Sequence, residues 1–351
     1  MLPTTPRSKS CRSSLALALA LLAAALGLGG CAVSAPPVTV LEGETMGSAW
    51  TVKIAGALPA PQADLQRGVQ GRFDAVNQAL STWRKDSALS QFNAHPGDDW
   101  VDVDPELVAV LAFALELAER SDGAYDVTVG PLVNLWGFGP DPASHQVPDA
   151  AAVAAARARV GWRKVQLDVA ARRARKAPGV YVDLSSLGKG RGVDRVAEYL
   201  DTQGVTNYLI DLSGKLRGRG HNPAGKPWSV AVEQPAPDDP GGAPRTVEAV
   251  VRLLNDSVAT AGDYRRFFET GGKHYSHIID PRSGAPVAHG TVSATVLAAS
   301  CMEADALATM YMVMPPVDAL RLADQRGEPA LLIGGDAAGF RLQPSRRWPA
   351  R

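Results

Sequence analysis

The sequence of 351 residues predicts an α+β fold in which mixed sheets pack against helices. Trp50, Val52 and Ile54 alternate with polar residues, which is the pattern of a half-buried strand. Between Leu65 and Leu80 apolar residues recur every three or four positions, as in a helix with one buried face. Strands and helices do not alternate regularly further on, so a doubly wound parallel sheet is disfavoured.

Capping signals predict the later helices. Asp104 followed by Pro105 supplies a cap and a first-turn proline, and the sequence 121–123 ends that helix. Pro148-Asp149 introduces an Ala/Arg-rich helix. Two more helices are expected, over 194–204 and 302–314.

Short apolar runs predict the remaining strands, which are expected over 165–167, 180–184, 208–212, 228–232 and 247–254. A basic segment separates the first two, with Arg172, Arg173, Arg175 and Lys176, and its charge indicates a solvated hairpin turn. The Pro/Gly-rich segment 234–244 is predicted to be an exposed loop, and 255–264 a polar loop with small residues.

The N-terminal segment has the pattern of an export signal. Arg7, Lys9 and Arg12 precede an uncharged Leu/Ala stretch that is too short to be a good transmembrane helix. Cys31 follows two glycines, as a lipid attachment site does; an ordinary secretory signal with a chance cysteine is the alternative. The expected organisation is a lipoprotein signal peptide over 1–30, a linker over 31–39 after lipidated Cys31, and one domain over 40–351, single or built of two packed subdomains.

Charge and cysteine content narrow the function classes. The chain has 36 basic and 36 acidic residues, which implies no nucleic-acid partner. Of its three cysteines, Cys11 lies in the signal and Cys31 is the predicted lipidation site. Cys301 then has no intramolecular partner, and we expect it to be buried and inert.

A glycine-rich segment over 183–192 is the first candidate site. With Lys189 and Arg191 at a predicted strand-to-helix transition, it could hold a phosphate group. It matches neither the P-loop nor the dinucleotide fingerprint. An ordinary tight connection with a basic flank explains the segment equally well.

Two further positions carry suitable chemistry. Asp305 and Thr309 lie four residues apart on one helix face and together offer oxygen ligands for Mg²⁺. Alternatively, Asp305 is favoured by the helix dipole while Thr309 merely packs. His277 is a candidate proton acceptor because its ordinary pKa lies near neutrality, or else a partly buried histidine without a chemical role.

Seven segments, in this order and at these separations, resemble the FAD:protein FMN transferases, the ApbE family of flavin-transferring lipoproteins. They are 44–48, 80–87, 123–139, 183–192, 259–264, 277–284 and 304–309. The resemblance covers nearly the whole mature chain. It implies an ApbE-like, T-fold-related architecture.

The resemblance implies that FMN is transferred from FAD to a Thr or Ser hydroxyl of an exported or membrane redox protein, through a phosphoester bond, with release of AMP. It also implies Mg²⁺ ligands at Asp305, Thr309 and the Ser186 carbonyl, and a Lys189 that neutralises the diphosphate. The positions that resemble FAD contacts are Met46, Trp83, Ala124, Tyr125, Asp126, Asp183, Lys189 and Ile279.

The acceptor hydroxyl needs a proton acceptor. His277 is predicted for this role, with Asp280 and Asp263 as rivals. Two departures from the family pattern stand out: 212–215 reads Leu-Ser-Gly-Lys where a Gly-Gly-Asp type of sequence is frequent, and Ser186 replaces a frequent alanine.

The expected partners are FAD, an acceptor flavoprotein subunit with a Ser/Thr flavinylation motif, and the membrane through the lipid anchor, facing the periplasm. Two other functions stay open. The same residues suit a Mg²⁺-dependent FAD pyrophosphatase that yields FMN and AMP, and a flavin-binding lipoprotein without chemistry is the third reading.

Overall fold

An eight-stranded antiparallel sheet forms the centre of the computed structural model, with strands in the order β1-β2-β6-β7-β10-β15-β16-β17. The strands are β1 (Val38–Thr45), β2 (Ser48–Ala55), β3 (Val101–Asp102), β4 (Val165–Asp168), β5 (Arg173–Lys176), β6 (Tyr208–Leu212), β7 (Lys215–Arg219), β8 (Trp228–Glu233), β9 (Val247–Leu253), β10 (Ser257–Gly262), β11 (Phe267–Thr270), β12 (Lys273–Ser276), β13 (Ile279–Asp280), β14 (Ala285–Pro286), β15 (Thr291–Ala298), β16 (Ala330–Asp336) and β17 (Gly339–Pro344). Strands β3, β5 and β4 form a separate small sheet, and the others pair as hairpins.

The structure describes residues 36–139, 146–235, 246–263, 266–336 and 339–349. The predicted signal peptide, Cys31 and most of the loop 234–244 lie outside these ranges. Strand β1 begins at Val38, within the predicted linker.

Eight α-helices surround the sheets in the described ranges. They are α1 (Gln62–Leu80), α2 (Ala88–Ala94), α3 (Pro105–Arg120), α4 (Gly130–Leu135), α5 (Ala150–Arg157), α6 (Ser185–Thr202), α7 (Cys301–Val313) and α8 (Pro316–Arg326). In these same ranges no helix has both the length and the apolar character needed to cross a membrane. The mixture of antiparallel sheets and packed helices confirms the predicted α+β class.

The periodic segments fold as predicted. Trp50, Val52 and Ile54 point into a core with Leu65 and Phe73 of α1. Asp104 caps α3 by accepting a hydrogen bond from the Glu106 amide, and Asp149 caps α5 in the same manner. The predicted strands over 208–212, 228–232 and 247–254 and the helix over 302–314 are also present, to within one or two residues.

Helix α7 is apolar on nearly every side and is buried between the sheet and α6. Asp194 of α6 accepts hydrogen bonds from the amides of Cys301 and Met302, at 2.8 and 2.9 Å, and so caps the start of α7. Cys301 is fully buried and its pKa is raised well above the usual value by that burial, as expected for an inert thiol.

The strand predicted over 180–184 is absent. These residues run as buried irregular chain, in which the amide and carbonyl of Val182 pair with the side chain of Asn93. The apolar run reflects burial rather than strand pairing. The side-chain amide of Asn93 makes the backbone hydrogen bonds that a neighbouring strand would otherwise make.

The basic segment is also not the predicted solvated turn. Arg173 to Lys176 form β5, and only 169–172 make the connection to β4. Lys176 is 3% exposed and donates a hydrogen bond from Nζ to the His95 carbonyl. The solvated turn predicted from charge alone is therefore wrong, because the aliphatic stem of a lysine can be buried when its ammonium has a hydrogen-bond acceptor.

The predicted loop over 255–264 contains an inner strand instead, β10, which is paired on both sides. Ala259 is fully buried, and β10 packs directly against α7. The loop prediction is therefore wrong here, because the small residues serve a close approach of helix and sheet.

Candidate functional site

A cleft of about 1400 Å³ opens between the sheet, α6 and α7 and brings together residues from most of the chain. Asp263, Asp280 and Arg191 do not line it, whereas twelve of the site residues predicted above do: Met46, Trp83, Ala124, Tyr125, Asp126, Asp183, Ser186, Lys189, His277, Ile279, Asp305 and Thr309. These twelve residues come from six of the seven motif segments, and Thr260, Ala261 and Gly262 of the seventh also line the cleft.

The helix α6 begins earlier than predicted, at Ser185 rather than near 194. The Asp183 carboxylate accepts from the Ser185 amide at 2.8 Å and so stabilises the first turn. The glycines of this segment therefore lie inside the helix, not in a phosphate-binding loop. A Cβ on Gly190 would lie 2.4 Å from the Cys301 carbonyl oxygen, so glycine is required where α6 crosses α7.

This close crossing sets the position of Asp305. Its Oδ2 atom accepts from the Gly190 amide at 3.1 Å, and its Oδ1 atom lies 3.0 Å from Nζ of Lys215. Burial raises the pKa of Asp305, while Lys215 and the Gly190 amide act in the opposite direction. Thr309, one turn further along α7, is half-buried at the same cleft.

Lys189 projects from α6 towards the β1–β2 hairpin, where its Nζ donates to Ser48 Oγ at 3.1 Å. The hairpin turn places Met46 (φ 49°) and Gly47 (φ 69°) in the left-handed region, as a two-residue turn of this kind requires. The sequence marks segments 44–48 and 183–192 as separate motifs. In the fold, the hydrogen bond from Lys189 to Ser48 brings them into contact.

Tyr125 and Ser186 are joined by a hydrogen bond of 2.8 Å between their hydroxyl groups. Burial raises the pKa of Tyr125, so this phenol stays protonated. The serine that replaces a frequent alanine therefore has a specific partner. The family resemblance marks Ser186 as a departure, and the structure shows that its partner is Tyr125.

Asp126 holds the loop around it. Its carboxylate accepts from the Thr128 amide at 2.8 Å and from the Trp162 amide at 2.9 Å. Burial raises the pKa of Asp126 and these hydrogen bonds oppose that effect. Trp83, in contrast, is 64% exposed at the rim of the cleft and offers an aromatic face.

His277 is the only one of the three proposed proton acceptors that lines the cleft. Its Nδ1 atom lies 2.9 Å from the Arg266 carbonyl oxygen, which can only accept, so Nδ1 carries the proton and Nε2 keeps its lone pair. Burial, assisted by the Arg266 guanidinium, lowers the pKa of His277 to about 4. The ring is therefore neutral at pH 7.

The geometry disfavours the two rivals. Asp280 lies outside the cleft lining, and its carboxylate is held in a fork by the Nε and Nη2 atoms of Arg282, at 3.0 and 2.9 Å. Asp263 also lies outside the lining, 3.7 Å from His274.

The donor atoms at Asp305 suit a hard cation. A carboxylate, a hydroxyl and a carbonyl are oxygen ligands of the type Mg²⁺ prefers. The described residues contain no group of three or more His, Cys, Asp or Glu side chains that would form a separate metal cluster.

Lys215 and Arg266 also line the cleft and were not predicted as site residues. The sequence signal that could have indicated Lys215 is its place directly after a Ser-Gly turn.

The residues assembled in this cleft and the fold around it define the chain as an enzyme of the transferase class. The model of the ApbE family matches residues 46–332. The chain belongs to the ApbE family, as the resemblance of its motifs had predicted.

The similarity to known relatives extends over almost their whole length. A curated protein of Klebsiella pneumoniae named FAD:protein FMN transferase is 38% identical over 333 residues, which is 92% of this chain and 93% of the relative. The flavin transferase ApbE of Vibrio cholerae superimposes with a TM-score of 0.80 at 38% identity, covering 89% of this chain and 99% of that structure. The apo flavinyl transferase ApbE of Pseudomonas stutzeri gives 0.80 at 35% identity, with 89% and 96% covered.

Proposed function

We propose that this enzyme transfers FMN from FAD to a Ser or Thr hydroxyl of an acceptor protein, through a phosphoester bond, and releases AMP. The observation that supports this most directly is that one cleft holds the exposed aromatic ring of Trp83 together with the charged groups of Lys189 and Asp305. Such a cleft offers an aromatic surface for a flavin ring and charged groups for a diphosphate. The names of the relatives support the transfer of FMN from FAD to a protein.

The side chains suggest how each proton and charge is handled. The acceptor oxygen bonds to the phosphorus of the FMN half, the phosphoanhydride bond breaks, and AMP leaves with the electron pair. The hydroxyl proton passes to Nε2 of His277, which is unprotonated at pH 7 because of the lowered pKa. Lys189 supplies positive charge beside the diphosphate.

A divalent cation is part of this proposal. Asp305, Thr309 and the Ser186 carbonyl would hold Mg²⁺, which when bound neutralises charge on the diphosphate. The fit rests on the oxygen donors that these residues carry and on their place in the cleft lining, Ser186 on α6 and Asp305 and Thr309 on α7.

The reaction is tested by incubating the purified chain with FAD, Mg²⁺ and an acceptor domain that carries a Ser/Thr flavinylation motif. We expect the acceptor to gain the mass of one FMN with an equal amount of AMP, and Asp305→Ala to abolish both. AMP with free FMN but an unlabelled acceptor would indicate the pyrophosphatase instead. Bound, intact FAD would indicate a flavin-binding protein without chemistry.

We further propose that Cys31 is lipidated and anchors the enzyme to a membrane, facing the periplasm. The basic, apolar and Gly-Gly-Cys order of residues 7–31 supports this. Expression of the full chain should give a membrane-bound form that begins at acylated Cys31, whereas Cys31→Ser should leave it unacylated. Recovery of unacylated wild-type chain in the soluble fraction would contradict the anchor.

A further inference from the structure

Lys215 and Asp305 form a buried ion pair inside the cleft. Their charged atoms are 3.0 Å apart, and the two side chains are only 12% and 4% exposed. Lys215 Nζ also donates a hydrogen bond to the Thr260 carbonyl oxygen. With a carboxylate and a carbonyl as partners, this ammonium is held in one place rather than moving freely in solvent.

The backbone directs Lys215 to this position. Ser213 (φ 51°) and Gly214 (φ 82°) make the tight turn from β6 to β7, and Lys215 then pairs with Ala259 of β10. Because β10 packs against α7, the side chain reaches the carboxylate on that helix. Ser213 and Lys215 are also the residues at which the segment departs from the Gly-Gly-Asp type of pattern.

This pair lies at the proposed cation site. One positive charge already balances Asp305, and a divalent cation that binds the same carboxylate is repelled by the ammonium beside it. The carboxylate oxygens have further lone pairs, so the ammonium does not exclude a metal ligand bond by occupancy alone. The repulsion is electrostatic, and it remains as long as Lys215 is charged.

We propose that Lys215 is a built-in counter-ion of Asp305 that weakens divalent-cation binding to the cleft in the absence of FAD. The inference rests on the proposed function, which assigns the cation to Asp305. It identifies a determinant of metal affinity beside the proposed cation site.

The test is Mn²⁺ binding to the FAD-free full chain, followed by the electron paramagnetic resonance signal of free Mn²⁺. Lys215→Met should lower the Mn²⁺ dissociation constant about tenfold, because the repelling charge is removed. Lys53→Met is the matched control, since Lys53 also lines the cleft but is not paired with Asp305; its dissociation constant should stay within about twofold of wild type.

Loss of the lysine leaves a buried carboxylate without its partner, so stability is measured alongside. The Tm of Lys215→Met should fall in the absence of metal and recover when Mn²⁺ is added, because the ion replaces the missing charge. Lys215→Arg retains the charge and should bind Mn²⁺ as weakly as wild type. An unchanged or weaker Mn²⁺ affinity in Lys215→Met would overturn the inference.

Asp305→Asn separates this inference from the proposed cation site. If the substitution abolishes Mn²⁺ binding while Lys215→Met has no effect, only the counter-ion role fails. If Mn²⁺ binding is unaffected by Asp305→Asn, the assignment of the cation to Asp305 fails, and the inference fails with it.

Discussion

The backbone amide of Gly190 donates a hydrogen bond to Oδ2 of Asp305 over 3.1 Å, and so ties α6 to α7 beneath the cleft. The same pair of helices is joined at the start of α7, where Asp194 accepts from the amides of Cys301 and Met302. The carboxylate assigned to the cation is therefore positioned by the close crossing of α6 and α7. Fold stability and site geometry depend on the same contact.

Gly190→Ala should lower the free energy of unfolding by about 1–3 kcal/mol, because the added methyl group would force the backbones of α6 and α7 apart. Gly188→Ala is the matched control. Its Cβ meets no atom within 4 Å, and alanine in a helix should add about 0.5–1 kcal/mol. Urea unfolding of both variants measures the difference, and equal stabilities would argue against the close crossing.

Glu106 ties α3 to α6 through two arginines. Arg195 Nε lies 2.9 Å from its carboxylate, and Arg191 contacts the other oxygen. Burial raises the pKa of Glu106, but the hydrogen bonds from Arg191 and Arg195 outweigh it and leave the pKa below the usual 4.5. Its contribution to stability is thus present above pH 4.5 and lost as the pH falls through the lowered value.

Glu106→Gln should therefore cost about 1–3 kcal/mol in unfolding free energy at pH 7, and the difference from wild type should shrink towards pH 3. Glu198→Gln is the control because Glu198 is half-exposed, so its cost should stay below about 1 kcal/mol. Denaturant titrations at both pH values give the result. A pH-independent loss would mean that packing, not charge, is responsible.

The Tyr125–Ser186 hydrogen bond is testable by a double-mutant cycle. Tyr125→Phe and Ser186→Ala should each cost about 0.5–1.5 kcal/mol, and the double variant should cost less than their sum because both remove the same bond. Thermal or urea unfolding of the four proteins provides the cycle. Strict additivity would show that the two hydroxyls do not interact.

His277 should remain neutral down to about pH 4, because burial and the Arg266 guanidinium lower its pKa to about 4. Since an unfolded histidine takes up its proton near pH 6.5, the fold loses stability as the pH falls from that value towards 4. Titration of the ¹⁵N-labelled imidazole by NMR, assigned with His277→Asn, measures the pKa. Protonation near pH 6.5 would contradict a buried ring.

Trp83→Ala should weaken FAD binding about fivefold to tenfold, because the variant removes an aromatic surface for the flavin ring. Its unfolding free energy should change by less than about 0.5 kcal/mol, since a side chain with 64% exposure contributes little packing. Quenching of flavin fluorescence measures the affinity. Trp83→Phe should keep most of it, and a loss as large as that of the alanine variant would exclude simple stacking.

Periodicity and caps were reliable where one local signal sufficed. The stripe from Leu65 to Leu80, the Asp104-Pro105 cap and the alternation at Trp50 to Ile54 correspond to α1, α3 and β2. The family resemblance was equally readable, because it depends on short motifs in a set order. Lys176 and the run over 180–184 were misjudged, because both depend on partners far away in the chain, His95 and Asn93.

The α+β class, the family and twelve of the residues that meet in the cleft can be read from the sequence alone. The fold is needed to show which of them touch. It places Gly190 at the crossing of α6 and α7 rather than in a phosphate-binding loop, and it pairs Asp305 with Lys215. Local pattern records burial and backbone preference, residue by residue. The distance between a strand turn at Lys215 and a helix at Asp305 depends instead on how β10 packs under α7, which no local pattern encodes.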